Sequence, residues 1–368
     1  MAGTHTIKAV MYEGIKSSSP YLVPTEIPAP VAQHGDVVVK VLASRLVGYF
    51  KEMVTGNRMF PSVVPMVPGP GGIGLIKSVG PGLVHLKPGQ MVFIDPVVHA
   101  RDHPIAPMAM MQGLFGFSEG GQKLQQVWRH GSWAEETVVP AENVTVIPPS
   151  LQQKYKPEQL IALTNHTITH GGFMAAGLKA GQTVAITGST GTFGASAVAV
   201  ALAMGARRVI AAGRARKHLD EYVKIYGSRV VPLVSTGDED KDMEAFVQAA
   251  GEGFAIDLVF DILPPVASFG IVRSAIRAMR ANGTAVLMGG VQSNIELPYS
   301  HIMLNNITIK GKFMYHRADP TMLLGIVDAG LLRLDVGEYR AFKLEEINEA
   351  IDWAAENSGP FSGAIVVP

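Results

Sequence analysis

Val184-Ala-Ile-Thr-Gly188-Ser-Thr-Gly191-Thr-Phe-Gly194-Ala-Ser-Ala-Val-Ala-Val-Ala-Leu202 reads as a buried strand, a glycine turn and a helix of small residues. That order predicts a phosphate cradle for a dinucleotide. A first glycine permits a left-handed turn, a second lets the backbone approach a pyrophosphate, and a third lets the helix lie close on the strand with its N-terminus toward the phosphates. Ser189 occupies the first glycine position of the usual pattern, with Gly188 just ahead of it. The residues expected to hold the cofactor here are Gly188, Ser189, Thr190, Gly191, Thr192, Phe193 and Gly194. The competing reading is an ordinary strand-to-helix turn.

Beyond this helix the chain runs Arg207-Arg-Val-Ile-Ala-Ala-Gly213-Arg214-Ala-Arg216-Lys217, a second apolar strand ending in a basic cluster. A unit built for NAD places Asp or Glu near the end of this strand, roughly 20 residues after the first glycine, whereas cations there suit the 2′-phosphate of NADP. Gly213 followed by Arg214, Arg216 and Lys217 predicts NADP(H); the alternative is a solvated surface cluster. Gly289 and Gly290, which close the strand Gly283–Gly290, complete the candidate cofactor residues.

The rest of the chain fits a two-domain enzyme. Its 368 residues exceed one ordinary domain, and 31 basic residues balance 31 acidic ones. Zero formal charge offers no general attraction to nucleic acid or to an anionic membrane, so a small-molecule substrate is the expected partner. With no cysteine, disulfides and thiolate metal sites are excluded. The N-terminal Met-Ala-Gly-Thr-His-Thr carries no basic run before an apolar core, and no apolar stretch is long enough to span a bilayer, so cytoplasm is the expected location.

Up to about residue 150 the pattern is β-rich, with strands at Ile7–Met11, Gly35–Ala43, Gly72–Gly80 and Gln90–Asp95 between Pro and Gly turns. From about 160 to 314 apolar strands alternate with helices, including Asp257–Asp261, a helix over Ser268–Met279 and a strand at Asn306–Lys310, which implies a parallel sheet covered on both faces. A helix around Leu344–Ala354 and a strand at Ser362–Val367 form a tail expected to return to the first domain.

Over nearly its whole length the chain resembles the medium-chain dehydrogenase/reductase superfamily. Gly35-Asp-Val-Val-Val-Lys-Val, Pro68-Gly-Pro-Gly-Gly-Ile-Gly-Leu-Ile, Leu86-Lys-Pro-Gly-Gln-Met-Val, Gly131-Ser-Trp-Ala-Glu-Glu and Leu178-Lys-Ala-Gly-Gln-Thr-Val-Ala-Ile-Thr-Gly carry the resemblance by their order and spacing. It implies an α/β fold: a Rossmann doubly wound parallel sheet plus a GroES-like β-barrel catalytic domain, an active site in the cleft between them, and hydride exchange with a nicotinamide. The implied domains are 1–159 (catalytic, first part), 160–314 (cofactor-binding) and 315–368 (return to the catalytic domain). A homodimer formed by pairing of the last Rossmann strand, about Asn306–Phe313, is also implied.

The departures from the family pattern concern zinc. The positions that correspond to the catalytic metal ligands and a neighbouring Glu in zinc alcohol dehydrogenases hold Val47, Pro70, Gly71 and, less clearly aligned, Asn165. The segment from about His99 to His130, where a structural-zinc lobe would sit, has no cysteine. His99 and His103 stand four apart, but Pro104 favours a loop over a metal-binding helix face. The resemblance is therefore to a zinc-independent, quinone oxidoreductase-like member with no metal.

Without a Lewis acid, the substrate must spread negative charge, as an enone, quinone or enoyl thioester does, carry its own positive charge as an iminium, or take a proton from an acid. Tyr49 falls where zinc alcohol dehydrogenases have the Ser or Thr that passes the alcohol proton, and is the candidate acid; its alternative role is a core aromatic at the barrel mouth. Glu52 stands near the position that relays the proton to solvent, or is simply exposed. Asn165 could hydrogen-bond a substrate oxygen, while His166 and His170 read as helix-surface or capping groups. Met59, Phe60, Met108, Met110, Met111, Phe115, Phe117, Met288 and Met314 are candidate apolar lining. The leading expectation is an NADP(H)-dependent, zinc-free reductase of an activated C=C or C=O bond. Reduction of a C=N bond, a non-redox lyase and a non-catalytic NADPH-binding relative are the alternatives.

Overall fold

The computed structural model describes residues 5–103 and 109–368. Met108 and Pro104 lie outside the described residues. The chain divides into two compact units: 1–164 with 334–358 and 362–368, and 165–333 with 359–361.

The first unit is built from short strands punctuated by glycine and proline. A hairpin pairs β1 (Thr6–Met11) with β2 (Val23–Pro28), and β3 (Asp36–Leu46) is the longest strand. After the short helix α1 (Phe50–Val54) come β4 (Gly72–Val79), β5 (Met91–Ile94), β6 (Val97–His99) and β7 (Ala109–Met111). The helix α2 (Glu119–Val127), the strands β8 (Glu136–Pro140) and β9 (Val144–Val146), and two short helices, α3 (Pro149–Lys154) and α4 (Pro157–Leu160), follow. Val37, Val39, Val41, Ile76, Val92, Ile94 and Val139 point into one core, because alternate residues of these strands face the same side.

The second unit opens with the helix α5 (Leu163–Ala176), of which Asn165 onward belongs to it. It continues through β10 (Thr183–Thr187), α6 (Thr192–Ala203), β11 (Arg208–Gly213), α7 (Arg216–Tyr226), β12 (Val230–Val234) and α8 (Glu239–Ala250). Then come β13 (Ile256–Asp261), α9 (Gly270–Arg277), β14 (Met279–Leu287), α10 (Tyr299–Leu304), β15 (Thr308–Gly311) and α11 (Asp319–Asp328). All strand pairs here are parallel, in the order β12-β11-β10-β13-β14-β15. Buried on both faces, β10, β11 and β13 read in the sequence as unbroken apolar runs.

The tail contributes β16 (Glu338–Lys343), α12 (Ile347–Asn357) and β17 (Ser362–Val367) to the first unit. There β17 pairs antiparallel with β3 and completes a seven-stranded sheet in the order β16-β17-β3-β4-β5-β9, with β8 also on β3.

Several elements differ from the sequence reading. The helix expected over Ser268–Met279 is shorter, and β14 begins at Met279 instead of Gly283, because Asn282 turns with φ 62° inside an irregular pairing that the glycine pattern conceals. The strand expected from Asn306 starts at Thr308, since Asn306 itself has φ 50°. His99 ends a strand paired with Ala109, so the helical placement weighed for His99 and His103 does not occur.

Candidate active site

In the second unit, β10 delivers the chain to Gly188, whose φ of 77° is left-handed. A Cβ there would lie 2.9 Å from the Ile262 carbonyl oxygen, just beyond β13. Gly194 is tighter: a Cβ would sit 2.2 Å from the Gly188 oxygen, so only glycine lets α6 approach the turn this closely. The N-cap is Gly191, which offers no side-chain acceptor, and the first helical N–H bonded to it is that of Ala195. The N–H groups of Thr192, Phe193 and Gly194 in the first turn are therefore left without intrahelical partners, as a helix N-terminus requires. These are the donors that a pyrophosphate accepts. Thr192 itself fixes the turn by donating its hydroxyl to the Gly359 oxygen at 3.0 Å.

Ser189 plays a different part. It is fully buried, and both its N–H and its hydroxyl donate to the Ala212 oxygen, so it clamps the turn to β11. Thr190 stands over the end of that strand, where a Cβ on Gly213 would lie 2.5 Å from the Thr190 methyl carbon. Arg214, Arg216 and Lys217 are exposed beyond it, and Arg216 pairs with Asp220 at 2.8 Å. The first turn of α7 contains Arg216 and Lys217 and no acid. Cations there oppose the helix dipole, which favours negative charge at an N-terminus.

Gly289 and Gly290 lie against the loop after β13. Gly290 donates its N–H to the Leu263 oxygen, and a Cβ on Gly289 would fall 2.6 Å from a carboxylate oxygen of Asp261. Asp261, which the sequence reading passed over as a strand end, ties this region together. It accepts from the Thr187 hydroxyl at 2.8 Å and from the Leu263 N–H at 3.2 Å. Burial pushes its carboxyl up, against the hydrogen bonds that favour its ionised form. An acid ending a buried strand beside a cradle is the sequence signal that would have found it.

Asn165 is buried on α5, and its side chain makes no hydrogen bond among the described residues. His166 and His170 are buried as well, which corrects the reading of them as surface or capping groups. His166 Nδ1 lies 2.8 Å from the Ser196 hydroxyl on α6, which Thr169 also meets at 2.8 Å. His170 Nδ1 lies 2.9 Å from Asp319 Oδ1. The cause is the packing of α5: Cβ atoms on Gly171 and Gly172 would strike Tyr315 and Met288, so this helix is embedded and its polar groups need partners.

In the first unit, β3 ends at Leu46 and the chain turns through Val47 and Gly48 to Tyr49, the N-cap of α1. The Tyr49 ring is half-buried, 5.8 Å from Phe60 and covered by the Arg58 guanidinium at 4.4 Å. Its hydroxyl has no hydrogen-bond partner among the described residues. Burial pushes the phenol up, with Arg58 and Arg45 working against that rise. Glu52 is exposed in the first turn of α1. Of the expected apolar lining, Phe60, Phe115 and Phe117 form one aromatic cluster, Met110, Met111 and Met314 are core, and Met59 is exposed.

Where the family pattern has metal ligands, Val47 is buried and Pro70-Gly71 lies in a tight backbone crossing. A Cβ on Gly71 would sit 2.3 Å from the Ile94 oxygen. Among the described residues no group of three or more His, Cys, Asp or Glu could hold a metal ion. No helix of the described residues is long and apolar enough to cross a membrane.

A glycine cradle on a six-stranded parallel sheet, accompanied by a seven-stranded antiparallel-rich unit, defines a dinucleotide-type oxidoreductase of two units. Comparison with known proteins gives the family. The model described as an alcohol dehydrogenase GroES-like domain matches residues 33–149, and that described as a zinc-binding dehydrogenase matches residues 193–328. An alcohol dehydrogenase of Moraxella sp. (strain TAE123) is 26% identical over 343 residues, covering 93% of this chain and 94% of that protein. The structure of a short chain alcohol dehydrogenase (rspB) from E. coli CFT073, complexed with NADH, superposes with a TM-score of 0.79 at 19% identity, covering 99% of each chain. That of a zinc-binding dehydrogenase from Sinorhizobium meliloti 1021, described as putative and bound to NADP, gives 0.78 at 21% identity, covering 99% of this chain and 100% of that one. The chain belongs to the medium-chain dehydrogenase/reductase superfamily and is an oxidoreductase of the zinc-binding dehydrogenase type.

Proposed function

We propose that the chain is a cytoplasmic, homodimeric reductase that uses NADP(H) without zinc and transfers hydride to an activated C=C or C=O bond of a largely hydrophobic small molecule: an enone, quinone or carbonyl compound. The end of β11 carries the reading. Gly213 supplies no carboxylate for ribose hydroxyls, and Arg214, Arg216 and Lys217 gather where a 2′-phosphate would lie. The cations of the first turn of α7 work against the helix dipole, a cost that a bound phosphate offsets.

NADPH, when bound, supplies the hydride. The chain's own residues hold and orient it: the free N–H groups of Thr192, Phe193 and Gly194 for the pyrophosphate, with Gly188, Gly191, Gly289 and Gly290 keeping the backbone clear of side chains. The donor chemistry favours metal independence, since Val47 and Pro70 present only carbon and Gly71 has no room for a side chain. Developing negative charge must then meet hydrogen-bond donors or spread over a conjugated substrate. Tyr49, kept protonated at neutral pH by burial, donates from its free hydroxyl. Asn165 offers a second donor, and the exposed Glu52 passes a proton to solvent.

Fluorescence titration with NADPH and NADH, followed by NADPH oxidation against a panel of quinones, enones and ketones, tests this reading. Tighter NADPH binding and turnover of at least one conjugated acceptor are expected. Equal affinity for the two nucleotides overturns the NADP assignment, and one firmly held zinc per chain with activity lost on chelation overturns the metal-free chemistry.

A further inference from the structure

Asp261 is 3% exposed at the end of β13, in register with Thr187 of β10 on one side and Leu287 of β14 on the other. The hydrogen-bond partners of its carboxylate all donate: the Thr187 hydroxyl at 2.8 Å and the Leu263 N–H at 3.2 Å, both to Oδ1, and the Gly289 N–H as well. Such a set of donors matches an ionised carboxylate. Among the described residues no charged side chain acts on it, and it forms no ion pair. A buried charge with no counter-ion is costly, and native structures normally offset one with a cation or a ligand.

The position of this charge in the sheet identifies the ligand. The strand order reverses between β10 and β13, and in a doubly wound sheet a dinucleotide lies across that reversal, outside the carboxyl ends of the strands. The glycine turn after β10 and the cations after β11 serve the adenosine side, which leaves the half that begins with β13 and β14 for the nicotinamide. Around Asp261 these strand ends are joined: the Met288 N–H donates to the Asp261 backbone oxygen at 3.0 Å, the Ile262 N–H to the Thr187 oxygen at 3.3 Å and the Gly290 N–H to the Leu263 oxygen at 2.8 Å. A Cβ on Gly289 would lie 2.6 Å from Asp261 Oδ2, so the carboxylate reaches the backbone of the loop after β14 with no side chain between.

We infer that Asp261 is a positioning residue for the nicotinamide half of the cofactor: it fixes the backbone at Leu263 and Gly289, and its charge favours the positively charged oxidised ring over the neutral reduced one. This rests on the reading of the chain as a reductase that uses a nicotinamide nucleotide. When a hydride leaves the reduced ring with its electron pair for the acceptor carbon, the ring becomes a cation, and a carboxylate already buried and oriented needs no rearrangement to meet it. Charges separated by protein interior interact far more strongly than in water, so the effect requires no contact between Asp261 and the ring. The chain thereby favours hydride donation through a residue that does not touch the reacting atoms.

Calorimetric titration of the full chain at neutral pH uses NADP⁺, NADPH and 2′-phospho-ADP-ribose, which keeps the adenosine and the pyrophosphate but lacks the nicotinamide. Asp261→Asn keeps the shape and removes the charge; it should weaken NADP⁺ roughly three- to tenfold more than NADPH and leave 2′-phospho-ADP-ribose unchanged. Thr187→Val keeps the volume and the carboxylate charge but removes one donor, so it should weaken both nicotinamide nucleotides alike and again spare the fragment. Thermal melting checks that each variant is folded, and Thr187→Val carries the test of positioning by itself where Asp261→Asn does not fold. Equal losses for NADP⁺ and NADPH in Asp261→Asn overturn the charge effect, an equal loss for the fragment in either variant overturns the assignment to the nicotinamide half, and unchanged binding of all three in folded Asp261→Asn overturns the inference outright. The same comparison with NAD⁺, NADH and ADP-ribose reads Asp261 without the 2′-phosphate. A chain that prefers NADH therefore loses the NADP assignment alone, whereas a chain that binds none of these nucleotides loses the cofactor reading and this inference with it.

Discussion

Gly213 and Thr190 exclude a side chain from each other's space: a Cβ on Gly213 would lie 2.5 Å from the Thr190 methyl carbon and 3.1 Å from its hydroxyl. The φ of Gly213 is not left-handed, so space and not backbone strain demands glycine there. An acid of the NAD type therefore cannot be introduced by one substitution. Gly213→Asp should lower stability by roughly 1–3 kcal/mol, the cost of overpacking, and weaken NADPH without gaining NADH. Adding Thr190→Gly should restore the room and allow NADH binding. A single Gly213→Asp variant that melts like the native chain and prefers NADH would refute the steric argument.

Arg214→Ala removes the cation next after Gly213 and leaves the fold untouched, because Arg214 is exposed. Loss of one charged contact to the 2′-phosphate should weaken NADPH by about 1.5–3 kcal/mol and leave NADH unaltered. Parallel titrations with the two nucleotides check this, and an equal loss for both would move the phosphate contact to Arg216 or Lys217.

How far the sequence could be read depended on the range of the interactions. The parallel sheet of the second unit was legible because β10, β11 and β13 are apolar runs ended by glycine or acid, a pattern set by burial of each strand alone. Ser189 looked like a phosphate ligand, yet its hydroxyl meets a carbonyl 23 residues away. His170 looked like a surface group because its partner, Asp319, is 149 residues away and only the packing of α5 brings them together.

That buried pair gives a pH prediction. Burial pushes the Asp319 carboxyl up, but the hydrogen bonds from His170 and from the His316 N–H outweigh it and hold the carboxyl below its ordinary value. A depressed carboxylate contributes stability that is present above the unfolded value of about 3.9 and is lost as pH falls through the lower folded value. Asp319→Asn should cost about 1–3 kcal/mol at pH 7 and flatten the acid limb of stability below about pH 4. Melting temperatures across that range decide it, and an identical acid limb in the two proteins would assign the dependence to other carboxylates.

Strand β15 lies at the edge of the parallel sheet, with Thr308 and Lys310 exposed and no strand paired beyond them among the described residues. Such an edge recruits a second copy of itself. The chain should scatter light as a dimer, and Ile309→Pro, which removes a ladder N–H, should yield folded monomers. A monomer mass for the native chain at working concentration would refute the edge pairing.

Tyr49→Phe separates chemistry from packing. The substitution keeps the ring contacts with Phe60 and Arg58 and removes only the hydroxyl, which has no partner among the described residues whose loss could disturb the fold. A purely structural ring therefore predicts unchanged kcat, KM and melting temperature. A proton- or hydrogen-bond-donating phenol predicts a fall in kcat with NADPH affinity intact. General acid assistance is worth roughly 10²–10⁴ in rate, and the smaller end is expected, because a conjugated acceptor spreads the charge that the phenol would otherwise meet. The phenol is pushed up by burial, so activity should not fall on the alkaline side until well above the ordinary tyrosine range, and Tyr49→Phe should leave the rest of the pH profile unchanged. An unaltered kcat in Tyr49→Phe would return the residue to the aromatic cluster and make Asn165→Ala the next variant to measure.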